Sequence, residues 1–392
     1  MKLAKRQPRS TGWKTWAAFG GAGLLAIVAM TATTIDAHKG ITSKYTYNDD
    51  VFPILRDKCG SCHVPGGAAP MSLLTYKDEG GAVAWAESIR ENLVGGSMPP
   101  YYADPTGPAV KNPHALSPRE LDIVVTWAAG GTPQGDLHKM PPDMKAHVQW
   151  GLGKPDLEVP VDAYTLAAGA MAATGEFTLA TNLKEAKWIK AADLLPGNSS
   201  IVRRATIRVD NGPVLAEWEP GDDATAAPGG TGFKLEPGAK LRVQIAYKKP
   251  YLQEQDAVKD QSVIGLYFTD EPLSGKSIEA FAVDGGDEGS ATRTFSASLP
   301  HGGRVLAVRP QLDQAYDSMT VTAIAASGRK VPLIKFRAAR PEWPRRYWLA
   351  DPVELPAGTK IEVVATPGDP DSGPLGPAVK NPLQISLDLV SQ

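Results

Sequence analysis

From about residue 157 onward the sequence is cut into short runs of alternating apolar and polar residues. The runs are Glu176 to Leu179, Ile201 to Val209, Lys240 to Ala246, Ser262 to Phe268, Arg304 to Val308, Met319 to Ala325, Lys360 to Ala365 and Leu383 to Leu389. Turns such as Glu236-Pro237-Gly238 and Leu355-Pro356-Ala357-Gly358 separate them. A two-residue period sends successive side chains to opposite faces, so each run can bury one face and wet the other. With 39 Gly and 34 Pro in 392 residues, turns are favoured over long helices. The pattern predicts two antiparallel β-sandwiches, 157–272 and 273–392, with the break at Pro272-Leu273-Ser274-Gly275. The halves also echo each other. Leu235-Glu236-Pro237-Gly238-Ala239-Lys240-Leu241 resembles Leu355-Pro356-Ala357-Gly358-Thr359-Lys360-Ile361.

Residues 45–136 have a different texture and predict a small all-α domain. Asp49 or Asp50 can cap a helix carrying Val51, Phe52, Ile54 and Leu55. Ser117-Pro118-Arg119-Glu120 has the form of a capping box with proline at the first helical position. Leu121, Val124, Val125 and Ala128 follow at helical spacing, and Gly130-Gly131 ends the run. A polar linker over 137–156 contains Met140-Pro141-Pro142.

The N-terminus is basic at Lys2, Lys5, Arg6, Arg9 and Lys14, and 20 uncharged residues run from Trp16 to Ile35. That length matches a bilayer core, and the flanking charges place the N-terminus on the cytoplasmic side. Residues 1–40 therefore predict a single-pass helix in a bacterial cytoplasmic membrane, with the bulk of the chain in the periplasm. A cleaved signal peptide is the alternative, and it too exports the remainder. The net charge of −2 gives no case for nucleic acid.

Only two cysteines exist, and both lie in Cys59-Gly60-Ser61-Cys62-His63. Two thiols at this spacing can add to the two vinyl groups of one haem, and His63 then lies under the iron. The segment predicts one covalent c-type haem, with Cys59 and Cys62 as attachment points and His63 as an axial ligand. For the second axial position Met98, in Ser97-Met98-Pro99-Pro100, is favoured over Met71 and His114. With both positions filled, electron transfer is expected rather than catalysis at iron.

Several segments together resemble a known group. They are Phe52-Pro53-Ile54-Leu55, Cys59 to His63, Pro65-Gly66-Gly67, Ala69 to Tyr76, Met98-Pro99-Pro100, and Trp127 to Gly131 with Gly135-Asp136. They are similar to the cytochrome c domain fused to bacterial relatives of copper type II, ascorbate-dependent monooxygenases. The resemblance implies tandem jelly-roll domains after the cytochrome, carrying copper on histidines and a methionine. In that frame Arg203-Arg204 stand where two histidines are expected. Ala246 replaces another, and Gln311 and Asp313 replace a further pair. After the linker His301 is the only histidine, and no methionine follows Met319. Arginine stays protonated and cannot ligate. Copper is therefore not expected, and the sandwiches are expected to act as scaffold or docking surface. The expected partner is a redox protein or a membrane complex. Rival readings are a haem-fed copper monooxygenase and a polymer-binding sandwich with an electron-transfer module.

Asp284 to Gly289 reads as an acidic surface turn rather than a calcium loop. Arg340 to Trp348 mixes cations with aromatics, fitting a docking surface or cation–π stacking within a sandwich. His138 and His147 read as solvated linker residues.

Overall fold

The computed structural model describes residues 42–77, 79–112, 114–144, 149–221, 224–286, 291–368 and 381–392. Three short α-helices occur among them: α1 (Phe52–Lys58), α2 (Ala86–Val94) and α3 (Pro118–Ala129), with one π-helical turn at Tyr47–Val51 ahead of α1. The start of α3 follows the sequence signal. Ser117 Oγ accepts from the Glu120 amide at 3.2 Å, and the Glu120 carboxylate accepts from the Ser117 amide at 2.7 Å. Two donors that a helix start leaves open are thereby satisfied. Ile123, Val124 and Trp127 on α3 are buried with Tyr47, Leu55 and Ile89 in one small apolar cluster.

Strands follow: β1 (Leu157–Pro160), β2 (Tyr164–Leu166), β3 (Ala172–Ala180), β4 (Lys187–Leu195), β5 (Val202–Val209), β6 (Val214–Trp218), β7 (Phe233–Leu235), β8 (Lys240–Lys248), β9 (Val258–Asp260) and β10 (Val263–Thr269). After a turn closed by Gly275 N–H to Pro272 carbonyl (2.7 Å) come eight more. These are β11 (Glu279–Asp284), β12 (Arg293–Ser298), β13 (Gly303–Gln311), β14 (Tyr316–Ile324), β15 (Lys330–Ala339), β16 (Tyr347–Leu355), β17 (Lys360–Pro367) and β18 (Gln384–Ser391).

The first set forms sheets β1-β10-β4-β7 and β3-β8-β5-β6, with β2-β9 as a two-stranded ribbon. The second forms β11-β18-β13-β16 and β12-β17-β14-β15. Leaving out the β2-β9 ribbon, the strand order is the same in both, the order of an eight-stranded double-sheet jelly roll. Inward residues alternate as a half-buried strand requires: Leu241, Val243 and Ile245 on β8, and Ile361, Val363 and Ala365 on β17, are buried. The echoed turns occupy matching places. Gly238 (φ +71°) and Gly358 (φ +77°) close the β7–β8 and β16–β17 turns. Their amides bond Leu183 and Leu299 carbonyls at 2.9 and 2.8 Å.

Two expectations are corrected. Of the described residues 39% are strand and 12% helix, and residues 45–136 do not form an all-α domain. Much of that stretch is loop, and its proline-rich part cannot propagate a helix. Instead Tyr101 to Lys111 runs extended along the second sandwich. Ala103 bridges Phe336 on β15 and Val110 bridges Leu349 on β16. The Asp104 and Lys111 amides bond the Lys335 and Trp348 carbonyls, each at 2.8 Å. Both β15 and β16 end their sheets, so this segment covers two strand edges that would otherwise expose unpaired backbone groups. Tyr101, Tyr102 and Ala103 are part of the second sandwich's core.

The single-pass membrane anchor is the second correction. No described helix is long and apolar enough to cross a membrane, and Trp16 to Ile35 lies outside the described residues.

Candidate functional site

The Cys59–His63 segment continues the last turn of α1. The Cys59 amide still bonds the Leu55 carbonyl at 2.9 Å, and the His63 amide bonds the Cys59 carbonyl at 2.9 Å. Gly60 is needed for this tight return, because a Cβ there would lie 2.6 Å from the Arg56 carbonyl oxygen. The segment faces a largely apolar cavity of about 350 Å³, large enough for a sizeable organic ligand. Cys59, Cys62, His63, Met71, Met98 and His114 all line it.

His63 is held by one backbone contact. Its Nδ1 lies 3.3 Å from the Met71 carbonyl oxygen. A carbonyl only accepts, so the neutral ring carries its proton on Nδ1 and leaves the Nε2 lone pair free. Burial lowers the His63 pKa, with the Met71 bond working against it, and so favours the neutral ring a metal needs. Both cysteines are free and half-buried. Burial, then the neighbouring Cys62, pushes the Cys59 thiol up to about 12. Burial, then Glu219, pushes Cys62 up to about 11. Such thiols are protonated at neutral pH, unlike the low-pKa thiolate of a dithiol oxidoreductase.

The three candidates for a second ligand sit on different segments of the lining. Met71 offers its backbone carbonyl to His63 Nδ1, and it also lines the cavity. Met98 lies on the loop after α2, where its amide bonds the Asn92 carbonyl at 3.3 Å. His114 stacks edge-on against Tyr101, with ring centroids 6.0 Å apart.

The far wall of the cavity comes from the sandwiches, which sequence reasoning did not anticipate. The β6–β7 loop carries Glu219-Pro220-Gly221, and the Cys62 thiol lies 3.4 Å from the Pro220 carbonyl oxygen. Gly221 (φ +75°) fits against Ser61 so closely that a Cβ would lie 1.8 Å from Ser61 Cβ. Ser199 Oγ donates to the Gly66 carbonyl at 2.9 Å. The β15–β16 loop reaches the same place. Arg345 Nη2 meets Glu219 Oε2 at 2.6 Å, with both side chains nearly buried. Arg204 Nη1 donates to the Glu342 carbonyl. A pair of arginines within a strand, after Ile201-Val202 and before Ala205, was the signal that could have marked this wall.

The cavity's chemistry fits an apolar cofactor carrying acids. Six Lys or Arg residues line it against two Glu. One guanidinium nitrogen there, Arg203 Nη1, is buried without a hydrogen-bond partner. The metal-binding expectation is corrected: among the described residues, no group of three or more His, Cys, Asp or Glu could hold a metal ion. Iron at this site would need a porphyrin to supply its other donors.

Other singled-out residues take structural roles. Asp313 pairs with Arg293 at 2.7 Å and accepts from Tyr316 Oη at 2.7 Å. Gln311 donates to the Pro382 carbonyl at 3.1 Å. Met319 is core, and Ala246 is buried opposite Arg204 in the β5–β8 ladder. In the Arg340–Trp348 segment, Arg346 stacks over Phe233 and Trp348, each 5.2 Å away. The His138 amide bonds Asp136 in a short 3₁₀ turn. His147, and Asp287 to Gly289 of the acidic turn, lie outside the described residues.

No protein-family model matches the chain, and no curated protein matches it. The resemblance to a cytochrome c domain fused to monooxygenase relatives is therefore corrected: no family match supports it, and no all-α cytochrome domain is evident among the described residues. Among solved structures, the STIV MCP is similar at a TM-score of 0.24 and 9% identity, covering 60% of this chain and 95% of that one. The PBSX exported protein XepA is similar at 0.18 and 10%, covering 57% and 89%. The Arthrobacter globiformis T6 isomalto-dextranase is similar at 0.16 and 14%, covering 58% and 35%. Scores this low transfer neither fold nor function.

Proposed function

We propose that the chain carries one haem joined through thioethers to Cys59 and Cys62, and that it relays single electrons to a redox partner protein or membrane complex. The observation behind this reading is the His63 Nδ1 contact to the Met71 carbonyl, at the wall of the cavity that both thiols also face. When bound, the haem supplies an iron that exchanges one electron at a potential set by its ligands and surroundings.

The chain's own residues do the rest. The Met71 carbonyl accepts from His63 Nδ1 and leaves Nε2 free, so that His63 would hold the iron through Nε2. Met98, on the same cavity, would supply a thioether to the iron, which raises the potential relative to a second imidazole. Ile54, Leu55, Ile89 and Leu93 line the cavity with apolar surface beside the two thiols. The β6–β7 loop holds Ser61 and Cys62 from the opposite side.

The test uses the full chain expressed in a host that attaches haem to such motifs. Pyridine haemochrome spectra, intact mass and metal analysis are expected to give one covalent haem and one iron per chain. Replacing both Cys59 and Cys62 by Ala should remove it. Met98→Ala should abolish the thioether–iron charge-transfer band. A chain that emerges without covalent haem, or with stoichiometric copper, overturns the reading.

A further inference from the structure

Arg203 occupies an irregular place in its sheet. In the β5–β8 ladder Val202 pairs with Tyr247 and Arg204 with Ala246, so Arg203 is the unpaired extra residue of a β-bulge. In a regular strand Arg203 would share a face with Ala205 and Ile207, which are core residues. A bulge re-aims a side chain, and here both Arg203 and Arg204 line the cavity. Their fates differ. Arg204 is bound to the Glu342 carbonyl, and Arg345 is paired with Glu219. Arg203 Nη1 is buried and makes no hydrogen bond.

A buried cationic donor with no acceptor in the protein is costly, so this wall suits a ligand that brings an acceptor to it. Burial already drags the Arg203 pKa down to about 10, with only Cys62 opposing. Glu342 Oε2 and Trp343 Nε1 are further buried atoms of this wall without a hydrogen bond. The lining nonetheless carries four more basic than acidic residues. An anionic group is thus favoured over a neutral one. It must belong to a ligand that is otherwise apolar and lies close to Cys62.

We propose that Arg203 is the anchor for a propionate carboxylate of the haem, a positioning role that rests on the haem reading above. The carboxylate accepts from Arg203 Nη1, orients the porphyrin against the first sandwich and neutralises the buried guanidinium. The β-sandwich is then part of the cofactor site. The cation also raises the haem potential, because it disfavours the more positive ferric state.

The full, haem-loaded chain is compared with Arg203→Gln and Arg203→Lys by optical redox titration, with haem content measured on the same samples. Arg203→Gln should lower the potential by about 59 mV, a tenfold change in the one-electron equilibrium. Arg203→Lys should restore most of it by keeping the charge. Equal potentials in all three with haem retained overturn this inference and leave the haem reading standing. Absence of haem from the unmodified chain overturns both. Should Arg203→Gln fail to fold, a crystal structure of the haem-loaded natural chain decides. A propionate oxygen within hydrogen-bond distance of Arg203 supports the anchor, and propionates directed elsewhere overturn it.

Discussion

The two sandwiches share a strand order yet treat their surroundings differently. The second accepts Tyr101 to Lys111 along β15 and β16, so two of its edges are closed by chain from another part of the sequence. The first instead turns a bulged strand and one loop toward the Cys59–His63 segment. Matching loops, β6–β7 in one and β15–β16 in the other, converge at the same cavity and are tied by Glu219 and Arg345. Two copies of one topology have thus become a scaffold and a site wall. Their strand order is shared apart from the β2-β9 ribbon of the first, and edges, bulges and loops distinguish them further.

The strongest way to break this arrangement is at the contact between the sandwiches. Asp388 on β18 meets Arg309 at 3.0 Å and Arg346 at 2.7 Å, and Arg346 also donates to the Leu215 and Val214 carbonyls, at 2.5 Å each, on β6. Removing one partner of a buried ion network leaves charge uncompensated. Asp388→Ala is expected to cost about 4–5 kcal/mol in urea unfolding. Burial alone would raise the Asp388 pKa, but Arg346 and Arg309 hold it below the ordinary value. Its stabilisation is therefore complete above the unfolded carboxylate value of about 3.9 and is lost as pH falls through the lower folded value. Asp388→Asn should flatten the acid limb of the stability curve. A limb unchanged by Asp388→Asn would dismiss the ion network as the joint.

Glu219→Leu tests the meeting of the two loops. It leaves Arg345 without its carboxylate and is expected to cost about 3 kcal/mol. Adding Arg345→Leu should recover part of that loss, since replacing both partners by apolar groups can be nearly neutral. A double variant as unstable as the two single losses added together would show that the residues do not act as a pair.

Gly221→Ala sharpens the comparison on the first sandwich alone. The added methyl collides with Ser61 and the backbone is left-handed, so a cost of about 2 kcal/mol is expected, with Cys62 more accessible to thiol reagents. Gly230 in the same loop has a similar φ of +73° with open space around it. Gly230→Ala should therefore cost only about 1 kcal/mol and leave Cys62 unchanged. Equal effects from the two would reduce the Ser61 contact to backbone strain.

Much of the β architecture was legible because its signals are local. Alternation and Pro/Gly turns mark strands wherever they pair, and the Leu235 and Leu355 echoes fell in matching turns. The Ser117 capping box was legible for the same reason. The misreading of 45–136 as an all-α domain has a definite cause. Helix signals at its two ends were extended across a middle whose prolines send it to the strand edges of β15 and β16. At the site, Cys59, Cys62, His63 and Met98 were named from spacing, and the structure brings them to one cavity. Glu219, Gly221, Arg345 and the aim of Arg203 were not legible, because each acts across more than a hundred residues of sequence.

By itself the sequence determined the turn that presents two thiols and an imidazole together, since those residues are neighbours on one short segment. It also determined that the later chain would be pleated, because a period of two needs no knowledge of partners. Only the tertiary structure decided what closes over the motif. Arg203 shows why: in a regular strand it would point into the core, and one unpaired residue in the β5–β8 ladder aims it at the cavity instead. A bulge is a property of two strands in register, and register is fixed by packing rather than by either strand alone.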